Sequence, residues 1–384
     1  MEEREETVTL LADAVRRFVR EQLVPAEPDV EEHDRIPAPL IEQLKALGLF
    51  GMTIPEQYGG LGLSMYEEAR VVFEIGYASP VFRSYFGTSN GVGTLGILLD
   101  GTEEQRRQYL PPIARGEMLA SFCLTEPDAG SDSAALVTKA VRDGDHYVVN
   151  GTKRFTTNSP EAGLFTVFAR TAPKEAGPAG ISAFLVERTT KGLSVAPPHK
   201  KMGFRGAHTA DVIFEDCRVP ASALLGGREG IGFITAMKSL DHARIHMASV
   251  AVGLSERLID EGVRYAMDRR QFGRPIAQFQ LIQAMIADSQ AEAYAARAMV
   301  EKTARTKDAG ERIVREAASC KYFATEALGR IADRVLQIHG GYGYIKEYPI
   351  ERLYRDARLL RIYEGTSQIM QLIIARETLK EKAP

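Results

Sequence analysis

The sequence predicts an α+β multidomain protein: an all-α N-terminal domain, a middle antiparallel β-barrel or sandwich, and a C-terminal four-helix bundle. Apolar residues first recur at three- and four-residue spacing, the mark of buried helical stripes. Short β-branched runs punctuated by prolines then replace that pattern. Beyond Pro220, no proline occurs before Pro275 and none between Pro275 and Pro349, which leaves room for long helices. The expected domains are residues 1–118, 119–224 and 225–384. Helical, then β, then helical is not the alternation of a doubly wound sheet.

In the first domain, Val8, Leu11, Val15, Phe18 and Val19 form a stripe that Pro25 is expected to stop. A second helix is expected from near Pro39 to Gly48, where glycine accepts a left-handed cap. Residues 55–62 read as a loop by their glycines. Gly91-Val92-Gly93-Thr94-Leu95-Gly96 matches the dinucleotide pattern G-x-G-x-x-G, but no strand precedes it. Glycines that permit close helix contact are the better reading there. In the second domain, strands are expected over 146–149, 164–169, 181–186 and 211–214, with a hairpin turn at Asn150-Gly151. In the third, the apolar series from Ile234 to Met247, then Val250, Leu254 and Leu258, suits one long buried helix. Two more follow over 281 to about 307 and over 313–338.

Composition narrows the function classes. With 384 residues, 45% hydrophobic and 26% charged, disorder, collagen-like repeats and a disulfide scaffold are excluded. A net charge of −3 gives no basic footprint, so no nucleic-acid partner is expected. No apolar run approaches the ~20 residues of a membrane-spanning helix, so no membrane partner is expected either. Cys123, Cys217 and Cys320 are far apart and lack metal-ligand spacing; they read as buried thiols of a reducing compartment. The acidic residues 1–6 carry no apolar core of a leader, and the expected location is cytoplasmic. There is no tryptophan among 16 Phe and 14 Tyr.

Four segments stand out as carriers of chemistry. They are Leu124-Thr125-Glu126-Pro127-Asp128-Ala129-Gly130-Ser131-Asp132, Arg269-Arg270-Gln271-Phe272-Gly273-Arg274-Pro275-Ile276, Gln337-Ile338-His339-Gly340-Gly341-Tyr342-Gly343 and Tyr363-Glu364-Gly365-Thr366-Ser367-Gln368. Singly, each reads as a turn or a helix end. Together and in this order they resemble the acyl-CoA dehydrogenase family, over nearly the whole chain. That resemblance implies FAD, an acyl-CoA substrate, an electron-transfer flavoprotein as acceptor, and a homo-oligomer, a tetramer built as a dimer of dimers. It also implies a place in acyl-CoA metabolism such as fatty-acid β-oxidation.

The resemblance further assigns residues. Phe122, Leu124, Thr125, Gly130 and Ser131 are expected around the flavin, with Thr125 near its pyrimidine edge and Ser131 also touching the pantetheine arm. Phe155 and Thr157 form the second flavin segment, where relatives carry Trp-Ile-Thr; Phe155 keeps a stacking face but lacks the indole N–H. Arg269, Gln271, Phe272 and Gln280 are expected at the FAD pyrophosphate and adenine, since a guanidinium fork matches diphosphate oxygens. Gln337, Gly340 and Gly341 resemble the second adenosine-side loop, and Thr366 and Gln368 complete the cofactor set. In relatives, the Arg269 and Gln337 segments come from a neighbouring subunit.

Glu364 is expected to be the base that takes the pro-R α-proton while hydride leaves Cβ for flavin N5, which requires burial to raise its pKa. Its N–H and a flavin ribityl hydroxyl would polarise the thioester carbonyl, with Gly365 at the substrate. Some relatives carry the base beside Arg244, but here Ala243 stands there. Asp241 and Arg244, at i and i+3, either pair with each other or contact CoA. Phe82-Arg83-Ser84 resembles the aromatic-Arg-Ser triplet of glutaryl-CoA dehydrogenases, and gives the alternative that Arg83 binds the distal carboxylate of a dicarboxyl acyl group, with Glu74 upstream. The spacing to Glu74 is longer than in those enzymes, Ser367-Gln368 stands where their motif has His, and the other reading of Arg83 is a structural salt-bridge residue. An alternative of another class is an FAD-binding relative acting as a nitroalkane oxidase or associated with DNA.

Overall fold

The computed structural model describes residues 2–382. The N-terminal stripe forms α1 (Glu2–Phe18), burying Val8, Val15 and Phe18. Pro25 does not stop this helix. A π-turn over Val19–Leu23 leads directly into α2 (Val24–His33), with Pro25 in its first turn. The wider turn adds a residue and relieves the clash a proline otherwise makes with the preceding carbonyls. Helix α3 (Ala38–Ala46) is followed by Gly48 at φ +71, as expected. Three more helices begin at side-chain caps: α4 (Met65–Ile75) and α7 (Glu103–Ala114) carry full capping boxes, and α5 (Pro80–Asn90) starts at Ser79. Between them, α6 (Val92–Asp100) contains the glycine pattern. A Cβ on Gly93 would lie 2.6 Å from the Ala120 carbonyl, so these glycines serve close packing.

The middle region contains β1 (Ala120–Cys123), β2 (Lys139–Asp143), β3 (His146–Thr157), β4 (Leu164–Arg170), β5 (Ile181–Glu187), β6 (Leu193–Val195) and β7 (Thr209–Pro220). They form one sheet in the order β1-β4-β2-β3-β7-β6, with β5 on β4. The sheet is mixed, since β1 runs parallel to β4. The expected hairpin at Asn150-Gly151 is also absent. The chain turns instead at Gly144-Asp145, where Asp143 pairs with His146 and Gly144 has φ +63. Strand β3 runs straight through Asn150, and Gly151 marks a register shift against β7.

The C-terminal region comprises α8 (Gly232–Asp268), the small ribbon β8 (Arg270–Gln271) and β9 (Arg274–Pro275), α9 (Gln280–Asp308), α10 (Val314–His339), α11 (Ile350–Leu359) and α12 (Ser367–Lys382). Helices α8, α9 and α10 pack mutually and α12 lies on α10. One apolar cluster joins this bundle to the N-terminal helices, from Val15 and Phe73 to Val250, Val300 and Leu328. Helices α4 and α8 cross so closely that a Cβ on Gly253 would stand 2.3 Å from the Phe73 carbonyl. All three cysteines are buried free thiols.

Candidate active site

Glu364 lies in the turn between α11 and α12, in the left-handed region at φ +56 and followed by Gly365 at φ +94. A non-glycine residue there is strained, and such strain persists only where surrounding contacts hold it. They do so here. Lys321 of α10 is fully buried and donates from Nζ to the Gly365 carbonyl at 2.6 Å. Thr366 Oγ1 accepts from the Ile369 N–H at 3.2 Å and so caps α12. Arg361 and Ser367 both donate to Glu326. Burial raises the Glu364 pKa above the ordinary carboxylate value, against the opposing charges of Arg83, Lys321 and Arg244. Burial likewise pushes Lys321 down to about 8. Beside Glu364, the Tyr363 hydroxyl is enclosed with no partner among the described residues, and its ring meets Phe204 edge-on.

Arg244 of α8 donates to Asp241 one turn earlier, so the two residues pair with each other. Burial lowers the Arg244 pKa and raises that of Asp241, while its Nε has no partner among the described residues. Ala243 is buried beside it. Arg83 of α5 is 5% exposed and donates from Nε to His246 Nε2 at 2.6 Å. Glu74 does not join it; that carboxylate accepts from Arg16 on the outer face. Glu68, fully buried on α4, is the carboxylate behind Arg83 instead.

The Thr125 loop and the end of β3 meet at the edge of the sheet. Arg154 N–H donates to the Thr125 carbonyl at 2.8 Å, and Ser121 Oγ donates to the Thr157 carbonyl at 2.8 Å. Beneath the loop, Lys153 Nζ lies 2.7 Å from Glu126 Oε1, with both side chains buried. Glu126 also accepts from the Val137 and Thr138 N–H groups. Leu124 is buried and Phe122 packs on Phe168 at 4.8 Å. Gly130 and Ser131 are exposed, and a Cβ on Gly130 would meet nothing within 4 Å. Phe155 is 58% exposed at φ +55, flanked by His199 and by the Arg154 guanidinium. Just beyond, Asn158 Nδ2 donates to the Ser84 and Tyr85 carbonyls at 3.0 Å, tying β3 to the helix that carries Arg83.

The remaining candidates lie at the far end of the bundle. Arg269 and Gln271 share a groove of about 490 Å³ with His339, Gly340 and Gly341. Gly340 takes φ +59 and ψ −138, a conformation suited to glycine alone. Gln337, Phe272 and Gln280 are exposed and do not line the groove; Gln368 is exposed on α12. Sequence reasoning missed Lys321, Glu68, His246 and the Lys153–Glu126 pair. Lys321 had a readable signal, because it interrupts an otherwise apolar helical stripe with Ala317, Ala324 and Leu328. The others are united only by tertiary contacts. No three-residue metal-binding cluster and no helix long and apolar enough to cross a membrane occur among the described residues.

Models of the acyl-CoA dehydrogenase N-terminal, middle and C-terminal domains match residues 5–117, 121–217 and 230–379. The chain is 43% identical to acryloyl-CoA reductase (NADH) of Anaerotignum propionicum, covering 97% of this chain and 94% of that protein. It is 42% identical to 3-(aryl)acrylate reductase of Clostridium sporogenes, covering 97% and 98%. The structure of butyryl-CoA dehydrogenase from Megasphaera elsdenii superimposes with a TM-score of 0.93 at 34% identity, over 97% of this chain and 98% of that one.

Proposed function

The chain belongs to the acyl-CoA dehydrogenase family, and we propose that it interconverts an acyl-CoA thioester and its trans-2-enoyl-CoA with Glu364 as the α-proton base. Its family makes it an oxidoreductase acting on CH–CH groups, and family members are flavoproteins. The observation that carries the proposal is a carboxylate in a strained turn that a buried lysine holds, its pKa raised by burial against the opposing charges of Arg83, Lys321 and Arg244.

FAD is the flavin the residues fit. Phe155 offers an exposed aromatic face held at a positive φ, and the Arg269 groove supplies a guanidinium, a side-chain amide and a glycine-rich loop suited to a dinucleotide. Phe122, Leu124, Thr125, Gly130, Ser131 and Thr157 would hold the ring side, and Arg269, Gln271, Gly340 and Gly341 the adenosine side. Bound there, FAD would supply a hydride acceptor for the β-hydrogen.

The protein residues do the rest. Glu364 takes the α-proton onto a carboxylate oxygen that burial has made more basic. Its N–H can donate to the thioester carbonyl, stabilising negative charge that develops there. Lys321 holds the turn that aims both groups. Run backwards, the protonated Glu364 delivers a proton to Cα, as reduction of an enoyl thioester requires. An electron-transfer flavoprotein would then exchange the electrons. A second reading, a dicarboxyl-CoA substrate, is favoured by Arg83, a buried cation whose nearest partner is a histidine.

The purified protein should be yellow, and an acyl-CoA should bleach it anaerobically. Glu364→Gln should keep FAD and lose bleaching by about a hundredfold or more. A colourless protein unable to bind FAD would sink the proposal, and a fully active Glu364→Gln variant would move the base elsewhere.

A further inference from the structure

Two residues other than glycine meet through Tyr363 with left-handed backbone: Glu364 at φ +56 and Phe204 at φ +58. The strain at Phe204 has no part in the chemistry above, and it persists only where contacts hold it. Phe204 is buried in the 196–208 connection between β6 and β7. Its N–H donates to Asp356 Oδ1 at 2.7 Å. Gly203 lies so close to α11 that a Cβ there would stand 2.7 Å from the same oxygen. Arg355 donates to the Met202 carbonyl at 2.9 Å. The connection therefore leaves the sheet and rests on α11, the helix that leads into the Glu364 turn.

Asp356 is buried, and its hydrogen-bond partners among the described residues are neutral. Besides the Phe204 N–H, it accepts at Oδ2 from the hydroxyl of Ser79, at the start of α5, at 2.8 Å. Burial pushes its pKa up to about 6 against these two donors, so it is ionised at neutral pH. A buried carboxylate with neutral partners is costly. In return, one side chain fixes α11, the start of α5 and the connection to one another. The Phe204 ring held in this way meets Tyr363 edge-on, with centroids 6.1 Å apart. The Tyr363 hydroxyl has no partner among the described residues, so packing sets that ring and no hydrogen bond does. Tyr363 precedes Glu364, and a shift of its ring turns the backbone that carries the carboxylate.

We propose that Asp356 is a positioning residue: it holds Phe204 against Tyr363 and so fixes the direction in which Glu364 presents its carboxylate to the α-proton. This rests on the acyl-CoA reading and deepens it. Lys321 holds the turn after the base, at Gly365, whereas Asp356 and Phe204 hold it before the base.

The test is anaerobic bleaching of the FAD-loaded protein by propionyl-, butyryl-, hexanoyl- and octanoyl-CoA, continued with the thioester that reacts fastest. Asp356→Ala should keep the FAD content and the thioester Kd, and lower the limiting bleaching rate by about ten- to a hundredfold. Asp356→Asn keeps an acceptor for the Phe204 N–H, while the Ser79 hydroxyl can turn to accept, and should recover most of that loss. Phe204→Leu removes the ring alone and should match Asp356→Ala. The double variant should be no slower than the slower single one, because both act through one contact. Proton removal is the step impaired, so deuterium at Cα should slow Asp356→Ala by a larger factor than it slows the wild type, and deuterium at Cβ should not. Where Asp356→Ala does not fold, Phe204→Leu carries the rate and isotope readouts. An unchanged limiting rate overturns the proposal, as does a loss confined to FAD content or Kd. So do an Asn variant no better than Ala, losses that multiply in the double variant, or an unchanged Cα isotope effect. A wild type that takes up FAD and is bleached by none of the thioesters overturns the acyl-CoA reading itself.

Discussion

At the scale of a residue, Glu364 shows how the proposed base is placed by its neighbours. Its left-handed backbone is held by the Lys321 bond to the next carbonyl, while a Cβ on Gly365 would come within 2.6 Å of Met370 Cε. Lys321 has a second effect through charge, since it is among the cations that oppose the rise in the Glu364 pKa. The base works deprotonated, so activity rises with pH through that pKa. Replacing Lys321 by Met keeps the apolar volume, removes the cation and frees the turn. The acid limb of the kcat/KM profile should therefore move to higher pH, with kcat falling as well. A limb that stays in place while kcat falls would leave Lys321 a role in packing alone. Glu364 was legible from its motif because Tyr-Glu-Gly-Thr is contiguous. His246 and Glu68 were not, since 178 residues separate two side chains that meet only once α4 packs on α8.

At the scale of an element, the Thr125 loop rests on a buried ion pair. Lys153 and Glu126 are each almost fully enclosed, and Glu126 in addition satisfies the Val137 and Thr138 N–H groups at the entrance to β2. Removing one partner strands the other charge. Glu126→Ala should cost about 3–5 kcal/mol of stability, seen as a lower denaturation midpoint, and should release FAD more readily because Thr125, proposed at the flavin, is the residue next to Glu126. A variant of unchanged midpoint would mean that water replaces the carboxylate. The same region shows where local sequence rules fail. Asn150-Gly151 has the composition of a hairpin turn, but β7 pairs on both sides of it and absorbs it as a bulge. Pro25 has the composition of a stop, but a π-turn lets the helix continue. The long helices of the bundle were legible because their apolar period persists for many turns. The short β1, β2 and β6 were not, since three to five residues hold too few repeats of a two-residue period.

At the scale of the whole molecule, the two groups of proposed cofactor residues lie at different places on one chain. Arg269, Gln271, Gly340 and Gly341 line a groove where α8 and α10 end, and neither Glu364, Phe155 nor the Thr125 loop lines it. We propose that a second copy of the chain supplies its groove to the first copy's ring site. The surface beside the groove fits that arrangement. Phe272 is 92% exposed at φ +50 at the tip of the β8–β9 ribbon, with Leu281 at 78% at the start of α9 and Tyr344 at 83% just after Gly341 of the groove. Large apolar side chains held out in a strained turn cost free energy in an isolated chain and become favourable when covered. Phe272→Asp should therefore shift the protein to a smaller species by light scattering and lower its FAD content together, because one contact would serve both assembly and the adenosine side. If the variant dissociates yet keeps a full complement of FAD, the groove does not serve a neighbouring copy. If it remains assembled, the ribbon is not the contact.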